Sequence, residues 1–357
     1  MRAARFFDGA RWRDGVLDAA GGRMLLRDEP PPPGLPHLDG VVIGGVTDHH
    51  VHLQLVDATL LDGSLLGRVV DLGGDPRALA RLAARSGVEK ASAARSRVEK
   101  ASASGPGDAF STPHAGSTHA GSTHAGRHAG RGTRVEFAGA FLTPTDGYPS
   151  DRSWAPAGSV REIATAADAA SAVAEMADAG ATRIKVASNS TAGPVFGDDL
   201  FRAIVAEADR HGLPVVAHAE GPGQAQRAAR LGATTLAHAP FTERLDDDEI
   251  AEQAASVSWI STLAIHDAPE RATAIDNVRR FHAAGGTVLY GTDMGNGPTP
   301  VDLNAAEVYR LREAGVDGDA LLRALVPADP RDAASVLLLL PDETSDPLDA
   351  RPLEGAI

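Results

Sequence analysis

Two histidines set two residues apart, His50 and His52, end the run VVIGGVTDHHVHL at Val41–Leu53. Side chains two apart on a strand point to the same side, so both imidazoles can face one point while His49 and Val51 turn away. That is the arrangement of a metal-ligand pair. Four more residues have matching chemistry: Lys185, His218, His238 and Asp293. Lys185 sits between Ile184 and Val186, and a buried ammonium is costly unless paired or neutralised. Carbamylation by CO2 turns such a lysine into a carboxylate able to bridge two metal ions, with four imidazoles and an aspartate for the remaining ligands. The chain has no cysteine, so only nitrogen and oxygen groups are available. Taken singly, His218 and His238 read as ordinary half-buried histidines and Asp293 as a turn former. Their joint placement argues otherwise.

That placement follows from the elements that must carry them. From Val41 onward eight apolar, β-branched stretches recur: Val41–Leu53, Leu66–Leu72, Val135–Leu142, Thr182–Ala187, Leu213–His218, Thr234–His238, Ser256–Ser261 and Gly286–Tyr290. Helical patterns alternate with them, at Pro76–Ala84, Val160–Ala179, Asp198–His211, Gly223–Leu231, Asp246–Ala255, Arg271–Ala284 and Val301–Ala314. Strands alternating with helices of this length imply parallel βαβ units, and eight of them predict a (β/α)8 TIM barrel, with a doubly wound open sheet as the rival. In such barrels the reacting groups stand at the C-terminal strand ends. All six candidates fall there.

The remainder of the chain bounds the function. With 357 residues and 43% hydrophobic content there is material for one large domain and an appendage. A net charge of −14 argues against nucleic acid or an anionic membrane as partner. Met1–Gly15 has no apolar core of a leader and no apolar run spans a bilayer, so a cytoplasmic location is expected. Residues 1–40 and 333–357 are expected to form a small β domain, and 41–332 the barrel. Within the barrel, tandem copies run through an insertion at 86–132, ARSGVEKASA at 84–93 then ARSRVEKASA at 94–103, followed by AGSTHAGSTHAG at 115–126. So few large apolar residues cannot offset ordering entropy, which predicts a disordered insertion. A metal-binding reading of His114, His119, His124 and His128 is weaker than that of a solvated insertion.

The motif set Asp48–Leu53, Ile184-Lys185-Val186, Ala217-His218-Ala219, Ala237-His238-Ala239 and Gly291-Thr292-Asp293, with Val69–Asp75, resembles the metal-dependent amidohydrolase superfamily. It is most like the branch of imidazolonepropionase-like enzymes and Xaa-Pro or other acyl-amino-acid dipeptidases. The resemblance covers residues 40–315, interrupted by the insertion. It implies that His50 and His52 bind the more buried metal ion, the Lys185 carbamate bridges both, His218 and His238 bind the second, and Asp293 binds the first and acts as base. It also implies two divalent ions, zinc the first choice, and hydrolysis of an amide or cyclic-amide C–N bond by a metal-activated hydroxide. The substrate would be a small molecule: a dipeptide, an acyl-amino acid or an imidazolone-like ring. The ending departs from the branch's usual Gly-Lys-x-Ala-Asp-Leu-Val-Val, with AASVLLLL at Ala333–Leu340 as a degraded version.

Two alternatives stay open. Glu220, two residues past His218, fits a mononuclear deaminase of the same superfamily, and the degraded ending and the insertion fit a non-catalytic, metal-retaining barrel. By position, Tyr148, Arg152, Trp154, Asn189, His266 and Asn296 are pocket candidates, with Arg152 suited to a substrate carboxylate. Asp48 is expected to support the strand end. A homo-oligomer is compatible with the sequence.

Overall fold

The computed structural model describes residues 1–20, 23–86, 132–332 and 335–353. Residues 87–131 of the predicted insertion, with His114, His119, His124 and His128, lie outside the described residues. The chain opens with three antiparallel strands, β1 (Arg2–Phe7), β2 (Trp12–Ala20) and β3 (Arg23–Arg27), followed by the proline run and β4 (His37–Gly44). Their alternating apolar residues bury Phe6, Leu17, Leu26 and Val42 in a small core of their own.

Val41–Leu53 is not one strand. β4 ends at Gly44, Gly45 breaks the run, and β5 (Val46–Val51) starts a separate sheet. The chain crosses tightly there: a Cβ on Gly45 would stand 2.7 Å from the Gly67 Cα. The next strands are β6 (Leu66–Asp71), β7 (Arg134–Phe137), β8 (Phe141–Thr143) and β9 (Val160–Glu162). After them come β10 (Ile184–Asn189), β11 (Val215–Glu220), β12 (Thr235–Leu236), β13 (Ser258–Ile260) and β14 (Thr287–Leu289). Among β5 to β14 every pairing is parallel. β5, β6 and β7 form one sheet and β14-β13-β12-β11-β10-β8-β9 the other.

The two sheets make one barrel. β7 and β8 are halves of the predicted third strand, broken at Ala138–Ala140, where Gly139 has φ +83° and a Cβ would meet the Met176 Sδ at 2.3 Å. On the other side, β5 meets the end of the eighth strand through a Val51–Met294 bridge and the bond from the His49 amide to the Tyr290 carbonyl (3.0 Å). Eight parallel strands thus close into the predicted (β/α)8 barrel. Val70, Leu72, Ala138, Val216, Ala237 and Ile260 pack together, and β5 and β10 are buried throughout, as strands covered on both faces must be.

The outer layer has a helix over residues 76–86 (α1), then α2 (Ala166–Asp178), α3 (Asp198–Arg210), α4 (Gln224–Arg230), α5 (Asp247–Ser256), α6 (Ala268–Ala283), α7 (Ala305–Glu313) and α8 (Gly318–Leu325). The helix expected over Val160–Ala179 is shorter, because Val160–Glu162 pairs with β8. A reciprocal Thr165–Asp168 capping box then starts α2. α8 was not anticipated. At the end of the chain, β15 (Leu337–Leu340) pairs antiparallel with β4, and β16 (Arg351–Pro352) pairs with β15, so the degraded ending still completes a six-stranded sheet, β16-β15-β4-β1-β2-β3.

Candidate metal centre

His50 is the penultimate residue of β5, and His52 is the first residue past its end. Their orientation is set by backbone carbonyls. The Nδ1 of His50 lies 2.8 Å from the Ala237 carbonyl and that of His52 3.1 Å from the Gly73 carbonyl. A carbonyl only accepts, so Nδ1 carries the proton in both rings and each Nε2 presents a lone pair. Both lone pairs converge on one oxygen: Asp293 Oδ1 is 3.2 Å from His50 Nε2 and 3.1 Å from His52 Nε2, and it accepts no hydrogen bond. Three buried electron-pair donors without a proton between them form a site for a cation. Among the described residues these three make the compact group able to hold a metal ion.

Asp293 reaches this point from a left-handed backbone, φ +53°, just past the eighth strand. A non-glycine residue pays to sit there, and such strain collects at functional sites. Its other oxygen accepts from Asn296 Nδ2 at 2.9 Å. The nearby imidazoles hold its pKa well below the usual carboxylate range in spite of burial. Burial lowers His52 as well, but Asp293 and Asp71 outweigh it and raise the ring above the ordinary value, whereas burial dominates for His50 and drives it well below. A proton on His52 would therefore compete with a cation for the same lone pair.

Asp48 ties the first strand to the last. Its Oδ1 accepts from the amides of His50 (3.0 Å) and Thr292 (3.1 Å), and its Oδ2 from the Thr292 hydroxyl. Burial pushes its pKa up to about 7. Asp71 accepts from the amides of Leu53 (2.7 Å) and Gly73 (2.9 Å), fixing the turn whose carbonyl orients His52. His49 faces away from the cluster, as the alternation requires. Burial and the charges of Arg68 and Arg183 push it down to about 3.

Lys185, His218 and His238 line the same cavity, of about 470 Å³. Lys185 is fully buried, 5.9 Å from the Phe141 ring centre, with no ion-pair partner among the described residues. Burial lowers its pKa to about 7 against the pull of Asp293 and Asp71. His238 pairs Nδ1 with the Thr262 hydroxyl at 2.9 Å, and its ring lies 4.7 Å from that of His50 and 4.9 Å from that of His218. His218 pairs Nε2 with Glu220 Oε2 at 3.1 Å, leaving Nδ1 as its other ligand atom. The cavity thus brings all six sequence-derived candidates to one barrel mouth.

Of the pocket candidates, Tyr148, Trp154, His266 and Asn296 line the cavity. Tyr148 stacks on His218 at 5.3 Å. Arg152 is not on the lining: its guanidinium lies 5.6 Å from the Tyr148 ring centre and pairs with Asp151. Asn189 holds Glu220 through its amide nitrogen at 2.7 Å. Phe141, Phe241, Asp267 and Glu270 complete the walls and had no signal in the sequence beyond following a strand.

A parallel eight-stranded barrel with histidine and carboxylate side chains able to hold a metal ion at its mouth is the architecture of a class of barrel metalloenzymes. Residues 41–323 match the amidohydrolase family model, and the chain belongs to that family, whose members are metal-dependent hydrolases. No curated protein matches the sequence. Solved structures of the same fold include an A. niger ochratoxinase, with TM-score 0.63 at 15% identity over 98% of this chain and 94% of that one. A Xaa-Pro dipeptidase with bound methionine in its active site has TM-score 0.60 at 15% identity over 97% of this chain and 93% of that one. Phenylurea hydrolase B has TM-score 0.57 at 14% identity over 95% and 94%. Among the described residues no helix is long and apolar enough to cross a membrane.

Proposed function

We propose that this amidohydrolase cleaves an amide or cyclic-amide C–N bond of a small molecule with two divalent ions, zinc the first choice, held by His50, His52, Lys185 as its carbamate, His218, His238 and Asp293. The convergence of the His50 and His52 lone pairs on the unbonded Asp293 oxygen carries this reading. When bound, such ions supply Lewis-acid polarisation of a carbonyl and lower the pKa of water. The dipeptidase and phenylurea hydrolase among the similar structures are named for substrates with C–N bonds of this kind.

The chain's own residues have the remaining work. Asp293, an anion at neutral pH, takes a proton from water and passes it to the leaving nitrogen. Lys185, with a pKa near 7, holds a fraction of unprotonated amine at neutrality, and that is the form that adds CO2. The Ala237 and Gly73 carbonyls keep both ligand imidazoles in one tautomer. Phe141, Tyr148, Trp154 and Phe241 wall the cavity and keep bulk water from the reacting groups.

The test is reconstitution of chelator-stripped protein with zinc, with and without bicarbonate, followed by metal analysis and an amide-substrate library. Two ions per chain and bicarbonate-dependent turnover are expected. One ion per chain with turnover of an aminated ring selects the deaminase reading, and two ions with no amide turnover overturns the proposal.

A further inference from the structure

We propose that the mouth of this cavity selects substrates bearing a positively charged amine on the arm away from the scissile bond and discriminates against a free carboxylate there. The inference rests on the amide-hydrolase reading of the floor and narrows its substrate class.

The first observation is the charge of the walls. Apart from the six residues of the candidate centre, the ionisable carboxylates on the lining are Glu220, Asp267 and Glu270, and among the described lining residues there is no arginine and no lysine but Lys185. Glu220 is engaged with His218, Asn189 and Thr191. Asp267 and Glu270 have no ion-pair partner among the described residues. Helix N-termini favour acidic residues, which is the ordinary explanation for two carboxylates at the start of α6. Asp267 does not fit that explanation fully, because it occupies the N-cap position without its side chain making the cap hydrogen bond. Its carboxylate is unused by the helix.

The second observation is an unpartnered buried atom beside them. His266, which precedes Asp267 and is only 8% exposed, lines the cavity, and its Nε2 has no hydrogen-bond partner. The ring is held flat against Phe241, centres 4.1 Å apart, and burial keeps it neutral. A neutral imidazole with Nδ1 protonated accepts at Nε2, and the N–H of an ammonium group supplies that bond. Arg271 does not occupy the space, since its guanidinium donates to the His266 carbonyl.

The third observation is the aromatic part of the lining. Trp154 lines the cavity and is 39% exposed, its ring centre 6.1 Å from that of Tyr148 and 6.4 Å from that of His52. Aromatic faces attract cations and offer nothing to a carboxylate. The one cation near them, Arg152, is already paired. Two free carboxylates, one bare imidazole nitrogen and an aromatic wall all favour the same ligand charge.

The test uses zinc-loaded full-length protein and three matched 4-nitroanilides: 6-aminohexanoyl, hexanoyl and mono-adipoyl, which carry a cation, no charge and an anion. The expected order of kcat/KM is cation over neutral over anion, about tenfold per step, as for a charge-assisted hydrogen bond gained or lost. In the double variant Asp267→Asn/Glu270→Gln the cation-to-neutral ratio should fall to within threefold. Binding of 6-aminohexanamide and of adipamate, followed by tryptophan fluorescence, is measured in parallel. Equal or tighter binding of adipamate overturns the inference whether or not any anilide is hydrolysed. Selective binding of the amine without turnover sinks the hydrolase reading and leaves the inference standing.

Discussion

Lys185→Met separates the two roles that a buried lysine can have. Methionine keeps the length and removes the charge. Burial lowers the Lys185 pKa from the usual 10.5 to about 7, and at about 1.4 kcal/mol per tenfold in proton affinity this fall corresponds to about 5 kcal/mol. Between pH 7 and 10.5 the unfolded chain binds the proton and the folded one does not, so the wild-type stability rises through that window. Below pH 7 the penalty is complete. Replacing buried charge by packed apolar groups typically stabilises by about 1–4 kcal/mol, so the metal-stripped variant should exceed wild type by that much at pH 7. The advantage should disappear above pH 10. Loaded with zinc, the same variant should hold fewer ions and keep under about 1% of the activity, as expected when a bridging ligand is lost. Urea unfolding in chelator at pH 7 and pH 10, with metal analysis and an amide assay, reads all of this. A variant that is less stable than wild type at pH 7, or that keeps two ions and full activity, refutes the reasoning.

Two further outcomes follow from buried carboxylates. Asp48→Ala strands the amides of His50 and Thr292 and the Thr292 hydroxyl, so a loss of about 1–3 kcal/mol per unsatisfied group is expected, together with weaker zinc affinity by competition titration; unchanged affinity would show that Asp48 is not needed to place the ligands. Glu307 accepts from the Leu263 and Ala264 amides, and burial raises its pKa from 4.5 to about 7. Between those values the folded state holds a proton that the unfolded state has lost, so its contribution to stability is complete below pH 4.5 and falls by about 3 kcal/mol as pH rises to 7. The wild-type minus Glu307→Gln difference in unfolding free energy should show that slope, and a flat difference counts against it.

The strand ends were legible because their chemistry is concentrated in short words. His-Val-His and Thr-Asp each put a polar group where an apolar strand stops, whereas Lys185, expected at a strand end, is the second residue of β10 and reaches the cavity from inside the barrel. What was not legible depends on partners distant in sequence. The carbonyls of Ala237 and Gly73 that set two tautomers belong to residues with no chemical signature, and Thr262 reaches His238 only because two strands lie side by side. The break in the third strand hid in VEFAGAFL because alanine and glycine continue an apolar run, although Gly139 needs a positive φ. The Gly44-Gly45 pair was visible, but Val-Val-Ile on one side and Val on the other made two strands of different sheets read as one. Val160–Glu162 was absorbed into an alanine-rich helix whose true start, Thr165 with Asp168, obeys the capping pattern.

His50 and His52 come from the first strand of the barrel and Asp293 from beyond the last, so the candidate centre straddles the seam where the cylinder shuts. The entropy of bringing distant segments together is paid before such contacts are rewarded, and contacts of this separation form late in folding. An ion held there acts as a clasp. The open chain offers such an ion only the local His50–His52 pair, and each tenfold of free ion above the dissociation constant of the complete site adds up to about 1.4 kcal/mol to the shut form. Metal occupancy in this protein is then a gauge of barrel closure as much as of readiness for chemistry.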